Sequence, residues 1–163
     1  MILGIDVGIS GAIAVLTSDG KLVNVFDIPV LHDGPAGRRS INAVLLAFHL
    51  REIGKEITIA YVESVGPRPG EGAVGAFAFG RSRGVIEGVL AAYGVPVQFI
   101  APAKWKRVIG IPPGKIEAKD LARSEIIRRF PEHANFFQLK KHSDRAEACL
   151  VAIAGVMLNE RIP

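Results

Sequence analysis

Four carboxylates stand where the hydrophobic pattern would place apolar side chains. Asp6 lies inside Ile2-Leu3-Gly4-Ile5-Asp6-Val7-Gly8, and Glu63 closes the run Ile59-Ala60-Tyr61-Val62-Glu63. Asp144 and Glu147 are three residues apart near the C-terminus, a spacing that puts both on one face of a helix. A buried acid is costly unless it is paired or bound to a cation. Four converging carboxylates cannot all stay charged without positive charge among them. All-oxygen donors suit Mg²⁺ or Mn²⁺. Two such ions about 3.5–4 Å apart can activate a water and stabilise the leaving oxygen of a phosphodiester. Taken singly, each acid has a plainer role. Asp6 could anchor a turn with Gly8, Glu63 could be an exposed strand end, and Asp144 or Glu147 could simply face the positive end of a helix.

The elements that must position these acids are legible as runs and breaks. Residues 2–7, 12–16 and 22–28 read as three strands joined by short loops, which implies an antiparallel meander. Residues 30–38 read as a loop. Ser40 is expected to cap a helix through about Ile53, with Ile41, Val44, Leu45 and Phe48 on one face and Gly54 closing it. A strand over 57–62 ends at Glu63, and the Gly/Pro-rich residues 64–72 form a loop. Further elements are a helix over 73–93, a strand over 95–100, a short helix over 102–109 opened by Pro102, and a basic helix over 116–130. A final helix capped by Ser143 runs to about Asn159. This order predicts an α/β chain, a five-stranded mixed sheet with helices on both faces, in one domain spanning residues 1–163, without internal repeats.

Bulk properties narrow the setting. The chain has 163 residues, 49% hydrophobic and 22% charged, an ordinary globular balance. No apolar run reaches the ~20 residues of a membrane span, and the N-terminus reads as a buried strand, not a secretion signal. The single cysteine, Cys149, fits a reducing, cytoplasmic setting. The net charge is +4 and is unevenly spread. Residues 101–163 carry twelve Lys and Arg against seven Asp and Glu, whereas residues 1–63 carry five against seven. A basic C-terminal third would attract a phosphate backbone, although a solvated basic face with no ligand would look the same.

In their order, the acids and their flanks resemble the RuvC family of Holliday-junction resolvases, within the ribonuclease H-like superfamily. That family has an acid on strand one, a glutamate on strand four and two acids three apart on the last helix, here Asp6, Glu63, Asp144 and Glu147. His142-Ser143-Asp144-Arg145-Ala146-Glu147-Ala148 is similar to its phage-type branch, as is Ala101-Pro102-Ala103-Lys104-Trp105-Lys106-Arg107. The resemblance implies a ribonuclease H-like fold and a homodimer on four-way branched DNA. It implies Mg²⁺, or Mn²⁺ in its place, with two ions per site held by the four acids. Lys106 and Lys119 fall on DNA-contacting lysines. Lys104, Arg81 and Arg83 are expected to hold phosphate too, with Gly80-Arg81-Ser82-Arg83-Gly84 resembling the start of the family's helix B. Trp105 is expected to pack its helix on the sheet, and Cys149 and Met157 to lie in the core. One stretch departs from the pattern. Bacterial members carry an aromatic just after the strand-four glutamate, where this chain has Ser64-Val65-Gly66-Pro67-Arg68-Pro69. The nearest aromatics are Phe77 and Phe79, at least one of which is expected in the core. The alternatives are a ribonuclease H-like RNA-processing nuclease and a junction-binding module that does not cut. An actin-like phosphate cradle shares the Gly-Ile-Asp-Val-Gly start but belongs to far longer chains.

Overall fold

The structure is a computed structural model that describes residues 1–33, 38–54, 56–66, 70–112 and 116–160. Strands β1 (Ile2–Asp6), β2 (Ala12–Leu16) and β3 (Leu22–Asp27) form the meander, and β4 (Val30–Leu31) pairs with β5 (Ser40–Ile41) in a small separate ribbon. Helix α1 (Ala43–Ile53), strand β6 (Ile59–Glu63), helix α2 (Ala73–Ala92), strand β7 (Val97–Ile100) and helices α3 (Pro102–Ile109), α4 (Ile116–Arg129) and α5 (Ser143–Asn159) follow. The main sheet has the order β3-β2-β1-β6-β7. β1 runs antiparallel to β2 and parallel to β6, and β6 runs parallel to β7. This is the expected five-stranded mixed sheet.

Strand β1 is central and buried along its length, so its apolar run is nearly continuous, as a strand covered on both faces must be. Alternation then divides the side chains. Leu3, Ile5, Ile13, Val15, Ala60 and Val62 pack with Leu46 and Leu50 of α1 and Ile86 and Leu90 of α2. Ile2, Ala12, Ala14, Leu16 and Tyr61 pack on the other face with Trp105 of α3, Ala122 and Ile126 of α4, and the alanines of α5. Helices therefore cover both faces.

Helix α5 is buried over most of its surface and lies tightly on the sheet because small residues meet there. A Cβ on Gly4 would fall 2.1 Å from the carbonyl oxygen of Ala148, and one on Gly155 would fall 2.2 Å from the Tyr61 ring. The Tyr61 hydroxyl accepts a hydrogen bond from Asn159 Nδ2 at 2.7 Å near the end of the helix. Arg145 of α5 holds Asp27 of β3 through two bonds of 2.6 and 2.7 Å.

Three local expectations are corrected. Ser40 lies in β5, where its hydroxyl bonds to Asp33, and α1 is capped by Asn42, whose side chain accepts from the Leu45 amide. The buried face of α1 is Leu46 and Leu50, while Val44, Leu45 and Phe48 are exposed. Ser143 is the first residue of α5, not its cap, and His142 occupies the cap position without a side-chain bond to the helix. Among the described residues no helix is long and apolar enough to cross a membrane.

Candidate metal centre

Strand periodicity decides where the first two acids go. Asp6 has the parity of Ile2 and Gly4 on β1, and Glu63 has that of Ile59 and Tyr61 on β6, so both belong to the face covered by α5. Each stands one residue beyond the parallel pair Ile5–Val62, at the same end of the sheet. Helix α5 begins over that end and presents Asp144 and Glu147 from its first two turns.

Asp6, Asp144 and Glu147 offer carboxylate oxygens that all lie within 4.8 Å of one another. Asp6 and Glu147 are buried, and Asp144 is partly exposed. Burial pushes the Asp6 carboxyl well above its ordinary 3.8, and the charges of Glu63, Glu147 and Asp144 push it further, with Lys119 opposing. Burial also raises Glu147, against the charge of Lys106. This is a cluster whose charges repel one another out of water, built from the hard oxygen donors that Mg²⁺ or Mn²⁺ takes. The donor set fits such an ion.

Glu63 is not one of the three that close on each other. It is buried, and its Oε1 accepts a hydrogen bond of 2.7 Å from the indole Nε1 of Trp105. Trp105 has no exposed surface. The expected packing role is therefore only part of what it does. A tryptophan buried at the start of a helix needs an acceptor for its N–H, and that need was the available sign of the contact.

Two lysines reach the same acids. Lys119 Nζ lies 3.0 Å from Asp144 Oδ1 and 3.4 Å from Ser143 Oγ. Its burial lowers its proton affinity, but the bond to Asp144 and the charges of Asp144, Glu147 and Asp6 outweigh this and raise it above 10.5. Lys106 Nζ lies 3.5 Å from Glu147 Oε1 and 5.0 Å from the centre of the Trp105 ring. Lys104 and Arg81 are exposed and make no ion pair among the described residues. Arg83 is already engaged, bonded through Nε to Glu87 at 2.5 Å and stacked 4.4 Å over Phe99. Residues 80–84 lie in the middle of α2, which starts at Ala73, so they do not open that helix. Phe79 packs partly against the core while Phe77 is 74% exposed. Arg68 and its neighbours 67 and 69 lie outside the described residues. His142 is buried, and burial, Arg145 and Lys141 hold its imidazole below 6.5. Cys149 is fully buried, and Met157 is half-buried.

Among solved structures, RuvC of Thermus thermophilus in complex with a Holliday junction substrate matches with a TM-score of 0.66, covering 98% of this chain and 96% of that one at 17% identity. The chain has the RuvC fold. A second Thermus thermophilus RuvC structure matches with a TM-score of 0.61 over 97% of this chain and 96% of that one, again at 17% identity. The RuvC fold is a ribonuclease H-like α/β fold, with the five-stranded sheet and flanking helices found here. No family model and no curated protein matches the sequence. The likeness is carried by backbone architecture, as 17% identity allows.

Proposed function

We propose that this chain is a divalent-metal-dependent endonuclease that resolves four-way DNA junctions by paired phosphodiester hydrolysis. The observation that carries the reading is the convergence of Asp6, Asp144 and Glu147 within 4.8 Å, in a chain that superposes over nearly its full length on a protein solved with a Holliday junction. Asp6, Glu63, Asp144 and Glu147 would hold Mg²⁺ or Mn²⁺, with two ions per site. Bound there, the ions would supply an activated water and stabilise the leaving oxygen of the scissile phosphodiester. The chain's own residues do the rest. The carboxylates orient the site through the rigid ends of β1, β6 and α5. Lys106 and Lys119, beside the acids, hold the phosphates flanking the cut. Lys104, Arg81 and Arg83 hold the backbone further away, and contacts of this kind position DNA without reading its sequence. A homodimer is proposed because two symmetric cuts require two sites related by a two-fold axis. The setting proposed is the cytoplasm.

The test is cleavage of a labelled synthetic four-way junction beside matched duplex, flap and RNA–DNA hybrid, with and without Mg²⁺ or Mn²⁺. Paired symmetric nicks on the junction alone, lost in Asp6→Asn, support the proposal. Cutting of RNA or hybrid but not of the junction replaces it with an RNA-processing nuclease. Tight junction binding without cutting replaces it with a binding module.

A further inference from the structure

Trp105 and Lys106 are neighbours on α3, and each reaches a different acid of the centre. The indole Nε1 bonds Glu63 Oε1 at 2.7 Å, and the ammonium lies 3.5 Å from Glu147 Oε1 and over the indole ring. An indole N–H can only donate. The Glu63 oxygen that meets it is therefore the acceptor of this bond. Trp105 has no solvent-accessible surface, and its ring is locked among the residues of the α5-side core. The packing of its ring therefore holds the donor against Glu63 Oε1. Glu63 itself is 8% exposed.

We propose that Trp105 is a positioning residue for Glu63: its indole N–H bonds Oε1 and fixes the rotamer in which the carboxylate is presented to a divalent ion. The inference rests on the metal-dependent reading of this centre and adds to it a residue that touches neither ion nor DNA. It also accounts for Glu63 standing apart from the three acids that close on each other. Partners of this kind orient a ligand and set its donor strength, and losing one costs roughly 10–100-fold in metal affinity or activity.

The chain has a single tryptophan. Expression in a tryptophan auxotroph supplied with benzothienylalanine therefore replaces the N–H by sulfur at position 105 alone and keeps the bicyclic shape. Trp105→Phe removes the donor and part of the ring. Circular dichroism and thermal melting establish that each protein folds. Two quantities are then read on the full chain: Mn²⁺ affinity by calorimetry, and kcat with KM on the four-way junction. The expected result for the sulfur analogue is roughly 10-fold weaker Mn²⁺ binding and a kcat roughly 10-fold lower, with KM for the junction unchanged. A folded analogue that matches the wild type in both readouts overturns the proposal and leaves Trp105 as packing. Absence of Mn²⁺ binding by the wild type overturns it as well. If the wild type binds Mn²⁺ and the analogue binds it more weakly, while neither cuts the junction, the positioning role stands and the nuclease reading falls.

Discussion

Gly4 of β1 lies against α5 so closely that a Cβ there would sit 2.1 Å from the carbonyl oxygen of Ala148 and 2.7 Å from the Cβ of Ala152. Backbone cannot give way as a flexible side chain can, so Gly4→Ala must lift the helix. Overpacking of this kind costs about 1–3 kcal/mol, a fall in Tm of roughly 2–12 °C for a chain of this size. The same shift separates Asp144 and Glu147 from Asp6, so Mn²⁺ affinity measured by calorimetry should drop with it. Gly155→Ala, which meets the Tyr61 ring far from the acids, should lower Tm by a similar amount and leave Mn²⁺ affinity near the wild-type value.

Asp6→Asn removes the most strongly perturbed acid of the centre. Junction cleavage should be abolished while gel-shift binding to the junction survives. Thermal melting gives a second readout. An ion that binds only the folded chain stabilises it by about 2.7 kcal/mol when present at 100 times its Kd. Mg²⁺ or Mn²⁺ should therefore raise the Tm of the wild type, EDTA should reverse the rise, and Asp6→Asn should show little of it.

Lys119→Met and Lys106→Met should each weaken junction binding and flatten its salt dependence, because each removes about one phosphate contact and its released counterion. A slope of log K against log salt reduced by about one is the expected measurement. Arg83→Met should change that slope less, since Arg83 stays paired with Glu87, whereas a divalent ion on Asp144 and Glu147 would free Lys119 and Lys106 for phosphate.

Glu125 offers a pH prediction away from the centre. Bonds from Arg128 and Arg129 hold its carboxyl at about 2, below its ordinary 4.5, against the effect of burial. A depressed carboxylate stabilises the folded chain above its unfolded value, and that contribution is lost as pH falls through the folded value. Glu125→Gln should therefore lower Tm at pH 7, and the gap between variant and wild type should close between about pH 4.5 and 2.

Much of this architecture was readable because strands and acids obey short-range rules. Asp6 and Glu63 share parity with residues that face α5, and the three-residue spacing of Asp144 and Glu147 needs only a helix to bring them together. The errors have a physical pattern of their own. In α1 the run Ala43-Val44-Leu45-Leu46-Ala47-Phe48 is apolar nearly all round, so period alone could not choose between the Val44–Phe48 stripe and the Leu46–Leu50 stripe; tertiary packing chose the second. Ser40 satisfies the rule for a cap, but pairing of β5 with β4 draws it into a ribbon. The bond between Trp105 and Glu63 spans 42 residues and has no local signature beyond the general need of a buried indole for an acceptor.

The parts of the centre arrive from residues 6, 63, 144 and 147, and the last two ride on the final described helix. Contacts of such long sequence separation carry a loop-closure entropy cost. During synthesis, a chain still short of α5 holds Asp6 and Glu63 but lacks half of its acids. The centre is therefore complete only once α5 lies on the sheet, and no growing or truncated chain lacking α5 carries the complete set of acids.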